Sequence, residues 1–376
     1  MGDHPETPAN SSSSIILTQH SERSWRSTLL QSVLRPIKHH VFKPGKPHDG
    51  DSLQLKPHKS CEKTCIVTER QVDGIFVYDI VSRQPNEKAG VSEENGEGRR
   101  RIYYVAGGSW KDPPSPDHWK FVAKLASAVP NTLVSLISVP LAPRETAPTV
   151  YPRLLSFYEK VMAESKERDE RVVWAGDSSG GNIVLGLVVE ALRLSRNFRT
   201  TLEDPNDLGQ ASEKAEESDF VVIEGKPVAE REGAKALPAP SCLILICPSV
   251  DATRENPAIA QVEPYDPILI APDSQKLAAD WAGQWALGDE RVSPVLDENL
   301  PQLLRERGVR VHGVTAGYDI LAPDAVKLRD KLGEAGVEGK WLHWEKQVHC
   351  FPLAWAYGFP ESRQALQWLS DVLSEE

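Results

Sequence analysis

The run Gly176-Asp177-Ser178-Ser179-Gly180-Gly181 lies between a short apolar, partly β-branched stretch, Arg171-Val172-Val173-Trp174-Ala175, and a long apolar one, Asn182-Ile183-Val184-Leu185-Gly186-Leu187-Val188-Val189, which continues through Arg193. The first predicts a buried strand and the second a largely buried helix. A chain that passes from strand to helix across G-x-S-x-G turns so sharply that the serine is forced into a strained φ/ψ. Glycines at the flanking positions let neighbouring backbone pass without a Cβ clash. Ser178 then stands exposed at a helix N-terminus, where the dipole favours developing negative charge. A glycine-rich turn of this kind also suits a phosphate cradle or tight packing. The remainder of the chain has to decide between them.

Strands are expected at 65–68, 74–81, 101–105, 132–139, 171–175, 241–247, 309–315 and 340–344, and helices at about 118–128, 151–164, 324–335 and 360–373. Repeated β-α alternation predicts the α/β class, with a mostly parallel central sheet flanked by helices. One catalytic domain is expected over 61–376, interrupted at 201–236 by an acid-rich surface insertion. Residues 1–20 are polar and serine-rich, and read as disordered. Within 21–60, Trp25, Leu29, Leu30, Val33, Leu34 and Ile37 recur at helical spacing among Arg23, Arg26, Arg35 and Lys38, predicting a basic amphipathic helix stopped near Pro36. Such a helix suits either a cap packed over the catalytic domain or peripheral contact with a membrane surface.

The net charge of -11 argues against nucleic acid as a partner, because phosphate binding needs a concentrated basic face. No apolar run reaches the roughly 18 residues of a membrane span. The N-terminal residues lack the basic and apolar regions of a signal peptide, so cytoplasm is the expected compartment. Five cysteines, Cys61, Cys65, Cys242, Cys247 and Cys350, show no metal-ligand spacing and read as small buried hydrophobes in a reducing environment. Neither a metal nor an organic cofactor is expected, and composition does not fix the oligomeric state.

Serine is a poor nucleophile at neutral pH and needs a base close by. His349, in Gln347-Val348-His349-Cys350-Phe351, follows the last predicted strand in a loop, whereas His312 and His343 fall inside predicted strands. The base in turn needs a carboxylate on its other nitrogen to fix the tautomer. Asp319 lies just past the carboxyl end of the preceding strand, where open α/β sheets gather their chemistry. Asp251 and Asp324 are the competing acids. The order Ser178, Asp319, His349 is that of an α/β hydrolase. A glycine turn leaving a strand, Ala106-Gly107-Gly108-Ser109, supplies candidate oxyanion donors at Gly107 and Gly108, with the amide of Ser179 as the third.

From about Arg101 to Leu373 the chain resembles the hormone-sensitive-lipase-like (fold-3) branch of the α/β-hydrolase superfamily. Gly176-Asp177-Ser178-Ser179-Gly180-Gly181-Asn182 is similar to its G-D-S-A-G-G-N elbow and Leu141-Ala142-Pro143 to its L-A-P turn. Asp266-Pro267-Ile268-Leu269 resembles its D-P-I-L segment, and Arg291-Val292-Ser293-Pro294-Val295-Leu296 its R-V-S-P-L stretch. The H-G-G-G motif departs to Ala106-Gly107-Gly108-Ser109, and the H-G-F ending to His349-Cys350-Phe351. These two departures resemble fungal members of the branch that deacylate sterols or natural products.

The resemblance implies an α/β-hydrolase fold with a helical cap and a serine carboxylic-ester hydrolase acting on a small-molecule ester through an acyl-enzyme. Trp110, Trp281 and Trp285 are expected to give its pocket an apolar, aromatic lining. Two other classes stay open. One is acyl transfer, or biosynthetic chemistry on a secondary metabolite, with the same triad. The other is a non-catalytic ligand-binding receptor on a hydrolase fold.

Overall fold

Cys242-Leu243-Ile244-Leu245-Ile246 is buried along its whole length, the pattern of a parallel strand covered by helices on both faces. It is an interior strand of the sheet in a computed structural model that describes residues 13–41, 48, 51–84, 98–203, 222–223, 226–227 and 237–376, with backbone alone at 40–41, 196–203, 222–223 and 226–227. Eleven strands occur among the described residues: β1 (Ile15–His20), β2 (Cys65–Val72), β3 (Ile75–Ser82), β4 (Arg100–Val105), β5 (Thr132–Ile137), β6 (Arg171–Asp177), β7 (Val222–Ile223), β8 (Lys226–Pro227), β9 (Cys242–Ile246), β10 (Arg310–Tyr318) and β11 (Gly339–Val348). Nine of them form one sheet in the order β1-β11-β10-β9-β6-β4-β5-β3-β2, and β7 pairs with β8 alone. Neighbours from β1 through β5 run parallel, while β3 is antiparallel to both β5 and β2. This is the α/β-hydrolase fold, and its alternation was readable because the strands are apolar runs punctuated by turns.

Two hydrophobic layers flank the sheet. One, around Trp174, Tyr158, Leu187 and Trp281, packs helices Ala147–Glu167 and Ser179–Glu203 on one face. The other, around Phe121, Ile244, Trp344 and Leu369, packs Pro116–Ala128 and Pro360–Glu375 on the opposite face. Each fully buried Leu, Ile or Phe contributes roughly 1.5–3 kcal/mol, so the two layers fix the relative positions of the strand ends from which the site is built.

The expectation of disorder over 1–20 is corrected where the chain is described. Ile15–His20 adds to the sheet edge, pairing in parallel from Ile15↔Gly339 to His20↔Trp344. The serine-rich context hides a short apolar run, Ile15-Ile16-Leu17, whose pairing satisfies one side of the backbone and whose Ile15 is buried. Residues 1–12 lie outside the described residues, as does most of the 201–236 insertion; helix Ser179–Glu203 runs into its first residues.

The N-terminal helix forms at Trp25–Leu34 and gives way to a single 3-10 turn containing Pro36. Its orientation is the reverse of a helix capping a core. Trp25 is 70% exposed, Leu29 57% and Val33 52%, whereas Ser27 and Gln31 are the buried residues. The surface beneath explains this, because it presents polar groups that need partners. The Glu361 carboxylate accepts from the Ser24 amide and, at 3.1 Å each, from the Ser24 and Ser27 hydroxyls. Gln31 donates to the Lys346 carbonyl at 3.0 Å, and Lys38 Nζ donates to the carbonyls of Glu263, Asp266 and Leu269. We expect Glu361→Ala to weaken this docking by about 1–3 kcal/mol, read as faster tryptic cleavage after Arg23 and Arg26 at unchanged global stability. Equal cleavage rates would show that the carboxylate does not hold the helix. Among the described residues no helix is long and apolar enough to cross a membrane.

Candidate active site

β6 ends at Asp177, and Ser178 takes φ 53° before helix Ser179–Glu203 begins. The left-handed backbone predicted for the serine is therefore present, held by the Ser178 amide donating to the Ile246 carbonyl at 2.9 Å. A Cβ on Gly180 would overlap the Val105 carbonyl, so only glycine lets the elbow pass beside β4.

The three residues singled out for nucleophile, base and acid meet at the carboxyl ends of their strands. Ser178 Oγ and His349 Nε2 are 2.9 Å apart, and His349 Nδ1 and Asp319 Oδ2 are 2.8 Å apart. Asp319 follows β10 directly and is fully buried, its Oδ1 accepting from the Leu321 amide at 2.9 Å. His349 follows β11, and Cys350, at φ 51°, turns the chain away into the 3-10 helix Phe351–Tyr357. Burial alone would drive a proton off the His349 ring, but the adjacent Asp319 carboxylate more than reverses this and raises the imidazole to about 9. The competing acids stand elsewhere: Asp251 accepts from Thr253, and Asp324 from Asn256.

Asp266 bonds directly to the Asp319 loop. Its Oδ2 accepts from the Ile320 amide at 2.9 Å, while Oδ1 accepts from the amides of Ile268 and Leu269. Burial, reinforced by the negative charge of Asp319, pushes Asp266 up to about 6. The D-P-I-L segment is thus pinned to the loop that carries the acid.

The oxyanion turn requires a correction. The Gly107 amide donates to Asp177 Oδ1 at 3.1 Å, so it is committed to holding the turn and is not free for a substrate oxygen. The amides of Gly108 and Ser109 have no partner among the described residues, and both residues line the cavity that contains Ser178. Ser179 begins the helix beside them, its hydroxyl accepting from the Trp110 amide at 3.1 Å. Gly108, Ser109 and Ser179 are therefore the candidate donors. Ser109 was visible in the sequence as the last residue of the turn, but a serine drew no attention beside two glycines.

The anchor of this turn is also missing from the sequence reading. Asp177 is buried and accepts from Tyr104 Oη at 2.6 Å as well as from Gly107, and its Oδ2 lies 3.2 Å from His118 Nε2. Burial opposes ionisation of Asp177, yet His118, Tyr104 and the Gly107 amide together hold it below the ordinary carboxylate range. His118 comes from helix Pro116–Ala128, where its Nδ1 accepts from the Ser115 amide at 3.0 Å. It provides an imidazole contact to the turn where the H-G-G-G histidine position is Ala106. No sequence spacing ties residue 118 to residue 177; only the fold does. We expect His118→Ala to lower kcat about 10- to 100-fold with KM little changed, because a displaced turn misplaces the oxyanion donors. An unchanged kcat would mean that Tyr104 and Asp177 suffice.

The three tryptophans do not line this cavity. Trp110 and Trp281 are buried in the core and stack with centroids 6.3 Å apart; Trp285 packs on Tyr151 and beneath the Arg291 guanidinium. Trp110 borders only a void of about 20 Å³ under the turn. Their helical spacing marked core packing, and the aliphatic residues that do line the cavity with Ser178 include Ile268 and Leu269 of the D-P-I-L segment. The cavity has a volume of about 300 Å³ and is lined by Ile268, Leu269, Ile270, Leu277 and Leu353, with Asp112 and Asp273 among its polar groups.

A family model described as alpha/beta hydrolase fold matches residues 102–220 and 225–353, well over half of the chain. No curated protein matches. EstE5, solved after soaking with p-nitrophenyl butyrate, is 18% identical with a TM-score of 0.63, the alignment covering 94% of this chain and 99% of that one. An esterase/lipase from an uncultured bacterium is 18% identical at a TM-score of 0.62, with the same coverage. A hormone-sensitive lipase from a metagenome library is 15% identical at 0.63, again covering 94% and 99%. Likeness at such identities carries the fold, and the family match, over well more than half of the chain, places this chain in the α/β-hydrolase family, in its fold-3 branch.

Proposed function

We propose that the protein is a serine carboxylic-ester hydrolase that works through an acyl-enzyme. The observation that carries this reading is the continuous hydrogen-bond path from Ser178 Oγ through the His349 ring to Asp319, opening on a cavity beside unpartnered backbone amides. Asp319 accepts the Nδ1 proton of His349 and leaves Nε2 as the acceptor. Nε2 takes the Ser178 proton as Oγ attacks the ester carbonyl carbon. The carbonyl oxygen becomes an oxyanion held by the amides of Gly108, Ser109 and Ser179, each worth roughly 3 kcal/mol on removal. Collapse expels the alcohol, which receives the proton from His349. Water then enters by the same route and releases the acid.

The test is release of p-nitrophenol from acetyl, butyryl and octanoyl esters, combined with intact-mass detection of a phosphonate adduct on Ser178. Turnover with the adduct supports the esterase, and the chain-length profile sizes the pocket. An adduct without turnover points to acyl transfer. No adduct returns the receptor reading.

The lining indicates the substrate class: an ester with an apolar half of moderate size. A sterol or natural-product ester would place one half against Leu269, Leu277 and Leu353 and carry the other toward solvent. Asp112 and Asp273 have no ion-pair partner among the described residues. Their charge is expected to make an anionic ester, such as a hemisuccinate, about tenfold or more poorer in kcat/KM than a neutral ester of equal length. Asp273→Asn should narrow that gap; an unaltered ratio would place the substrate's charge away from this wall.

The outward apolar stripe of Trp25, Leu29 and Val33 favours peripheral contact with a lipid surface. Lys38, near the end of the same segment, bonds to the Leu269 carbonyl, so this surface adjoins the cavity wall. Wild type should co-sediment with phosphatidylcholine vesicles and Trp25→Ser/Leu29→Ser should not; equal sedimentation would end this reading.

A further inference from the structure

Two thiols border the His349 ring. Cys350 Sγ lies 3.4 Å from His349 Nε2. Cys247 follows β9, and its Sγ, Cys350 Sγ and a ring nitrogen of His349 lie within 4.8 Å of one another. Both cysteines are free, and both occupy left-handed backbone, φ 46° at Cys247 and 51° at Cys350. That region costs a non-glycine residue of order 1–3 kcal/mol, and such outliers cluster at functional sites. The Cys350 thiol also reaches two acceptors at long range, Asp177 Oδ2 at 3.7 Å and the Ile246 carbonyl at 4.0 Å.

We propose that Cys247, His349 and Cys350 form a binding site for a thiophilic divalent cation of the zinc class, and that its occupancy turns hydrolysis off. Two sulfurs and an imidazole are a poor set for magnesium or calcium, which take oxygen, and a good one for zinc. Around tetrahedral zinc, with bonds of about 2.3 Å to sulfur and 2.0–2.1 Å to nitrogen, neighbouring donors stand roughly 3.4–3.8 Å apart. The 3.4 Å between Nε2 and Cys350 Sγ is such an edge, and Cys247 Sγ lies within 4.8 Å of both ligand atoms. His349, Cys350 and Ser178 all line the cavity, which gives the cation a path and a fourth ligand from water or from Ser178 Oγ. Binding releases the two thiol protons to solvent, and the resulting thiolates balance the charge of the cation. The cation occupies the lone pair on Nε2 that accepts the Ser178 proton, so metal and nucleophile compete for one atom.

A second cluster, Cys242, His312 and Glu376, shows what separates a site from a structural network. There His312 Nδ1 accepts from the Lys340 amide and Nε2 faces Glu376 at 3.0 Å, and all three residues are buried away from the Ser178 cavity, whereas His349 and Cys350 line it.

The inhibitory effect rests on the hydrolase reading, whereas metal binding does not, and the experiment separates them. The reduced full-length protein is titrated with Co²⁺, reading the thiolate-to-cobalt charge-transfer absorption, and the cobalt is then displaced with Zn²⁺. One equivalent is expected to generate the band in wild type. Cys350→Gly, which suits the left-handed backbone, and Cys247→Ser should each abolish it and raise the Zn²⁺ concentration for half-inhibition of p-nitrophenyl butyrate hydrolysis at least about tenfold. Absence of the band in wild type, or zinc inhibition unchanged in both folded variants, overturns the proposal. A band in a wild type that hydrolyses no ester supports the metal site while removing the esterase.

Discussion

Ser178→Ala is expected to lower kcat for p-nitrophenyl butyrate by about 10⁶-fold, the scale on which removing one member of a unit that acts together approaches removal of all of it. The substitution removes the hydroxyl 2.9 Å from His349 Nε2 and leaves the elbow supported by the Ser178 amide and by Gly180. Folding should therefore be preserved. Alanine still has to adopt φ 53°, so a small loss of stability is expected with no change in cooperativity. The variant should also fail to form the phosphonate adduct. His349→Ala should match its loss of turnover, and the double variant should be no worse than either single one. A tenfold loss would mean that water attacks directly and that Ser178 is not the nucleophile.

What the sequence disclosed about this site is what local backbone constraints encode. The elbow was readable because strand, glycines and helix are contiguous, and the positions of Asp319 and His349 because each follows an apolar strand in a loop. The anchor of the oxyanion turn was not readable, since Asp177, His118 and Tyr104 come from separate elements and meet only when β4, β6 and helix Pro116–Ala128 pack together. Gly107 was misassigned for the same reason: its amide is claimed by Asp177, a tertiary contact. The N-terminal helix shows the limit of periodicity. An apolar stripe identifies a helix, but which face turns inward depends on what lies beneath, and Glu361 and the Lys346 carbonyl favoured the polar one. The tryptophans misled because a large aromatic fits a pocket wall and a core equally well, and the packing around Tyr151 took them.

Asp319→Asn tests the electrostatics on which the base depends. In wild type Asp319 raises His349 to about 9, so kcat/KM should climb with pH toward 9 as the neutral ring that can accept the Ser178 proton becomes populated. The same shift makes a stability prediction of defined sign. The folded protein binds this proton more tightly than the unfolded chain, where the value is the ordinary 6.5. The contribution is therefore complete below pH 6.5 and is lost as pH rises through 9. Asparagine removes the charge and presents an amide N–H to Nδ1, which leaves the proton on Nε2, facing Ser178. We expect kcat to fall about 10⁴-fold from this tautomer reversal. The residual activity should have its limb moved toward acid, because burial then acts on the imidazole without the Asp319 charge, its largest counterweight. The variant should also lose the stability difference between pH 6 and pH 9 that wild type shows. An activity loss without displacement of the limb would mean that Asp319 orients the ring without setting its charge. Retention of more than a tenth of the activity would assign the acid to another carboxylate, with Asp266, which contacts the same loop, the first to replace.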